Sequence, residues 1–127
     1  MTNHCTHEQS KALKEIGFDM PVRDYIYTAN TGNNTDTVCM TMKVFNHNSE
    51  TDCVSLPTHA EALDWFREKK GIDGWVMPML KELNGYLFCY EGPESTETYT
   101  SRSYPTHPEA TSALVDKCIE ITKKQKA

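Results

Sequence analysis

A chain of 127 residues with 38% apolar content has enough material for one hydrophobic core, which excludes a disordered tail and suits a single domain over residues 1–127. Its net charge of −5, with acidic and basic residues interspersed, disfavours extended contact with a nucleic-acid backbone. No run of eighteen apolar residues occurs and the opening Met1-Thr2-Asn3-His4 is polar, so the sequence predicts a soluble, cytoplasmic protein without a membrane partner.

The first capping signal is Thr6-His7-Glu8-Gln9, and Leu13 and Ile16 give the apolar spacing of a short helix over residues 7–16 that Gly17 ends in a left-handed turn. Proline at 21 then favours extended chain, and residues 22–29 alternate as a strand. After the polar stretch 30–36, residues 38–45 place Val38, Met40, Met42 and Val44 on one face, completing a hairpin. A third short strand, 52–56, leads into a helix carrying Ala62, Leu63, Phe66 and Lys70, which Gly71 stops.

The second half repeats that order. Residues 75–82 and 86–91 flank Asn84-Gly85, a pair suited to a two-residue hairpin turn, which sets Met79 opposite Tyr90 and Lys81 opposite Phe88. One side of that hairpin then holds Trp75, Met77, Met79, Leu83, Tyr86, Phe88 and Tyr90. Pro78 has no amide donor, so its strand is expected at an edge or at a bulge. A strand at 99–104 enters the final helix, where Ala110, Leu114, Cys118 and Ile121 form the apolar stripe. The predicted order α-βββ-α-βββ-α gives an α+β fold, with antiparallel sheet covered by helices.

Both later helices begin with one phrase, Pro57-Thr58-His59-Ala60-Glu61-Ala62 and Pro105-Thr106-His107-Pro108-Glu109-Ala110, 48 residues apart. Thr followed three residues later by Glu is a capping box. Two pseudo-repeats, 22–71 and 74–124, fit this pattern; capping chemistry explains Pro, Thr and Glu without duplication, and only the shared His resists that account.

That His is the first helical residue in each copy. The positive end of the helix dipole disfavours imidazolium there, so His59 and His107 tend to be neutral and suit a base, a hydrogen-bonding group or a ligand. First-turn side chains usually face solvent, which is the plainer expectation. His4, Cys5 and His7 cluster soft and borderline metal donors at a terminus expected to fray. Five cysteines stand singly without a CxxC pair, an odd number that suits a reduced compartment and packing roles. No phosphate-binding glycine loop, HExxH, G-x-S-x-G, zinc-finger or EF-hand spacing occurs, so neither metal nor cofactor is expected.

The segments Ala12-Leu13-Lys14-Glu15-Ile16-Gly17-Phe18-Asp19-Met20-Pro21 and Ala62-Leu63-Asp64-Trp65-Phe66-Arg67-Glu68-Lys69-Lys70-Gly71-Ile72 resemble small uncharacterised proteins encoded by bacteriophages and bacterial mobile elements. That group shares an ALKEIGFDxP opening, an AxxWFREKxGI helix and a closing helix after a tyrosine-rich hairpin. The resemblance implies an accessory role in a bacterial host, without catalytic residues to carry over; Phe66 and Ile72 are expected in the core. This chain departs in its doubled PTH phrase and in Thr111-Ser112 within the last helix.

Three functions follow as expectations. The first is a non-catalytic protein that binds a host or phage protein or a second copy of itself through the face of Trp75, Met79, Tyr86, Phe88 and Tyr90 or through a strand edge. The second is a binder of a nucleotide-like small molecule, with Tyr rings stacking and His59 or His107 hydrogen-bonding in a concave pocket. The third is a hydrolase or transferase that uses a histidine near Glu61 or Glu109.

Overall fold

Local capping sets where each helix starts. The computed structural model describes residues 4–28, 37–79, 85–92 and 98–126. Helix α1 (His7–Glu15) begins at Thr6, whose hydroxyl accepts from Gln9 N at 3.0 Å while Gln9 Oε1 accepts from Thr6 N at 2.9 Å. Helix α2 (His59–Trp65) repeats the box with Thr58 and Glu61, at 3.1 and 2.9 Å. In α3 (His107–Lys126) the Thr106 hydroxyl accepts from Glu109 N at a longer 3.3 Å. Gly17 (φ 97°) ends α1 as expected, and Gly71 (φ 68°) ends a widened π turn over Phe66–Lys70 that prolongs α2.

Strands β1 (Val22–Tyr27), β2 (Thr37–Phe45) and β3 (Cys53–Ser55) form an antiparallel sheet in the order β2-β1-β3. Strands β4 (Asp73–Pro78), β5 (Tyr86–Glu91) and β6 (Tyr99–Thr100) form a second, in the order β4-β5-β6. The α+β class and the order α-βββ-α-βββ-α therefore hold. Pro78 lies on the edge strand β4, where the missing amide costs no ladder bond. The central strand is the first of its group in one sheet and the second in the other.

The second hairpin corrects the sequence reading. Tyr90 pairs with Gly74 rather than with Met79, and Phe88 with Val76. Asn84 lies outside the described residues, but a ladder that closes with Met79 N donating to Gly85 O at 2.9 Å excludes a two-residue turn at Asn84-Gly85. Replacing Met79 by Gly74 is a slip of five positions, and an odd slip inverts every side chain of one strand relative to the other. The single aromatic and methionine face is thus split. Tyr86, Phe88 and Tyr90 share the inner face with Gly74 and Val76, while Trp75 and Met77 lie on the outer face with Cys89. Leu83 lies outside the described residues.

The inner face packs on α3. Leu114 presses so close to Gly74 that a Cβ there would stand 2.8 Å from Leu114 Cδ1. The main core joins Leu13 of α1 and Ile16 at its C-cap, Trp65 at the end of α2 and Phe66 just beyond it, Phe88 of β5 and Leu114, Val115 and Cys118 of α3. Phe66 and Ile72 are fully buried, as expected. On α3 the buried stripe runs through Ile119, with Ile121 only partly covered. Ile26, Val54 and Leu56 make a smaller cluster in the first sheet.

Of the four residues predicted to share an apolar face of β2, Val38, Met40 and Val44 are 44%, 65% and 58% exposed, and the Met42 side chain lies outside the described ones. Between Met40 and Phe45 the strand runs five steps while β1 runs two, from Asp24 to Val22, so three extra residues bulge from the ladder. No helix among the described residues is long and apolar enough to cross a membrane.

Candidate functional site

The two capped helix starts converge. Thr58 and His59 at the head of α2, and His107 and Thr111 on the first turns of α3, line one groove of about 490 Å³. Its apolar wall is Ala60, Leu63, Val76 and Pro108. Val76 is the inner-face partner of Phe88, so the second sheet supplies the floor while the two helices supply the sides.

His59 is 8% exposed, contrary to the solvent-facing expectation for a first-turn residue. Its Nε2 is sealed from solvent and has no hydrogen-bond partner. Burial lowers its pKa, and the neighbouring His4 lowers it further against the opposing pull of Asp116, so the ring is neutral at pH 7. His107 is exposed, and its ring meets Tyr86 edge-on at 5.5 Å. Thr111 Oγ1 donates to His107 O at 2.9 Å and lies 3.3 Å from His107 Nδ1. With the hydroxyl proton on that carbonyl, a neutral His107 ring meets Thr111 Oγ1 with Nδ1–H and keeps Nε2 as an acceptor.

The remaining polar atoms follow from the cap. Thr58 Oγ1 accepts from Glu61 N, so its own proton is left to donate. Glu61 Oε1 accepts from Thr58 N at 2.9 Å and serves the cap. Among the described residues, neither His59 nor His107 is hydrogen-bonded to a carboxylate, so the histidine and glutamate pairing expected for a hydrolase is not assembled.

Behind the groove lies an arrangement the sequence does not announce. His4 pairs with Thr58 in a β-bridge, Cys5 N donates to Pro57 O at 2.9 Å, and His4 Nε2 donates to Asp24 Oδ2 at 2.6 Å. The supposed fraying terminus is strapped across the start of α2. His4 Nδ1 is sealed without a partner, like Nε2 of His59. The Cys5 thiol is pushed up to about 12 by burial and by Asp116 and Glu61, and Cys118 likewise to about 12 by burial, so neither is a nucleophile near neutrality. No group of three metal-type side chains among the described residues is placed to hold an ion.

The other flagged residues divide. Tyr86 walls His107, Phe88 is core, and Tyr90 stacks on Tyr99 at 5.2 Å. Trp75 is 37% exposed on the opposite face, and Met79 is half-buried at the end of the ladder. Thr58 and Thr111 are groove residues that the sequence reading did not single out; the available signal was Thr111 four positions after His107, on the same helix face. Ser112, the other unexpected residue of that helix, accepts from the buried Gln9 Nε2, 2.9 Å from its carbonyl and 3.0 Å from its hydroxyl. Fold and groove define an α+β protein with a histidine-lined cleft. No protein-family model matches the chain, and no curated protein or solved structure does either.

Proposed function

We propose that the protein binds a small molecule in the groove between the heads of α2 and α3. The observation that carries this reading is that both repeated phrases bring their histidine to the same concavity, beside Thr58 of the first phrase and Thr111 just after the second, one imidazole being buried and neutral. The groove is of ligand size, mostly apolar with a few convergent polar groups, which is the usual composition of a binding site. The test is native mass spectrometry of protein purified gently from a bacterial cytoplasm, beside an Ala60→Trp variant that fills the groove from an exposed position. A retained non-protein mass in the parent that is absent from the variant supports the reading. Identical bare masses, together with no thermal shift from a broad metabolite collection, overturn it.

A second reading is favoured by Val38 and Met40, neighbours on one face of an edge strand and both open to water. It makes the protein an accessory factor of a phage or mobile element that docks a host or phage protein, or a second copy of itself, on β2. The two readings are compatible, because this pair and the groove share no residue.

A further inference from the structure

We infer that the groove takes an uncharged heteroaromatic ring with adjoining hydrogen-bond donor and acceptor atoms, of the nucleobase or nucleoside class, and rejects the phosphorylated form. The inference rests on the small-molecule reading and narrows it. Among the described residues no Lys, Arg, Asp or Glu lines the groove, so a phosphate or an ammonium would lose its hydration there without gaining a counter-ion. The net charge of −5 and the nearby Glu61 and Glu109 add to the exclusion of anions.

Polar complementarity gives the rest. A neutral His107 ring offers Nε2 as an acceptor, and the Thr58 hydroxyl, whose oxygen already accepts from Glu61 N, keeps its proton to donate. The neutral ring of His59 lines the same wall, with its Nε2 sealed from solvent and so closed to a ligand. A donor and an acceptor lining one groove suit the amide-like edge of a lactam or amidine ring, whereas a plain hydrocarbon would leave them unpaired at a cost. Between Val76, Leu63 and Pro108 such a ring finds apolar surface for its faces. A volume of about 490 Å³ holds a base with its sugar.

The test is calorimetric titration with adenosine, guanosine, their 5′-monophosphates and indole, using the full chain and two variants. Expected is binding of at least one nucleoside, with its monophosphate and indole each weaker by about tenfold or more, the scale of one lost polar contact. His107→Leu, at an exposed position that does not endanger folding, is expected to weaken the nucleoside by about tenfold, and Ala60→Trp to abolish it. A monophosphate or indole that binds as tightly as the nucleoside overturns the ligand class while leaving the groove a binding site. Failure of all five probes, with a retained mass in native spectra, does the same. Failure of all five with no retained mass overturns both.

Discussion

His59 owes its position to its own cap and its burial to residues far away in the chain. The capping phrase fixes it as the first residue of α2, because a hydroxyl at Thr58 and a carboxylate at Glu61 need only local chain to meet. What buries it is the strap of His4 and Cys5, held by Asp24 twenty positions further on, and no local pattern contains that pairing. A pH dependence follows. Burial lowers the pKa of His59 and also that of His47, which stacks on Tyr25 at 4.3 Å and donates from Nε2 to Val22 O at 3.1 Å. With folded values below the unfolded value of about 6.5, the unfolded chain binds more protons in acid. Stability is therefore fully present above about pH 6.5 and declines as pH falls below it. Denaturant titrations between about pH 5 and 8 should show that decline. His59→Phe, which removes the titrating ring and its orphan nitrogen together, should flatten part of it. A parent profile level across this range would show that both rings accept a proton without loss.

At the level of elements, the helices and strands were legible because caps, glycine stops and alternation are local signals. The register of β4 on β5 was not. Asn84-Gly85 favours a two-residue turn, but the ladder is set by what the inner face must accommodate: Leu114 of α3 lies over position 74, where only glycine leaves room. Pairing Gly74 with Tyr90 puts that gap beneath the helix and turns Phe88 into the core, at the expense of the locally favoured turn. Gly74→Ala should consequently cost about 1–3 kcal/mol by overpacking, read from chemical denaturation; an unchanged midpoint would mean that Leu114 swings aside freely. Gly92 is stricter, since its φ of 89° and the carbonyl oxygen of Gly71 both oppose a Cβ. The caps make a graded comparison. Thr58→Ala removes the hydroxyl of a reciprocal box and should cost about 1 kcal/mol. Thr106→Ala, which loses a single 3.3 Å bond, should cost less. Equal losses would show that the 3.1 Å bond of Thr58 is worth no more than the 3.3 Å bond of Thr106.

For the whole molecule, one core draws on all three helices and ties the second sheet tightly to α3, whereas the first sheet keeps only the small cluster of Ile26, Val54 and Leu56 for itself. Its edge strand β2 carries Val38 and Met40 on the side that Ile26 and Asp24 occupy in β1, but with 44% and 65% of their surface in water. The alternation placed on one face holds for Val38 and Met40 and is broken by the bulge before Val44; no layer among the described residues covers the two. Edge strands are usually protected by charge, proline or irregularity, and the bulge between Met40 and Phe45 interrupts this one only beyond its paired stretch. The row Val38 to Met40 therefore remains available for an added strand or an apolar partner. A Val38→Lys, Met40→Lys double variant should leave stability within about 0.5 kcal/mol, as exposed substitutions do. It should also remove any concentration-dependent increase in mass that the parent shows by analytical ultracentrifugation, and leave groove binding intact. Association that persists unchanged in the double variant would move the contact elsewhere, with the outer face of Trp75 and Met77 as the next surface to alter.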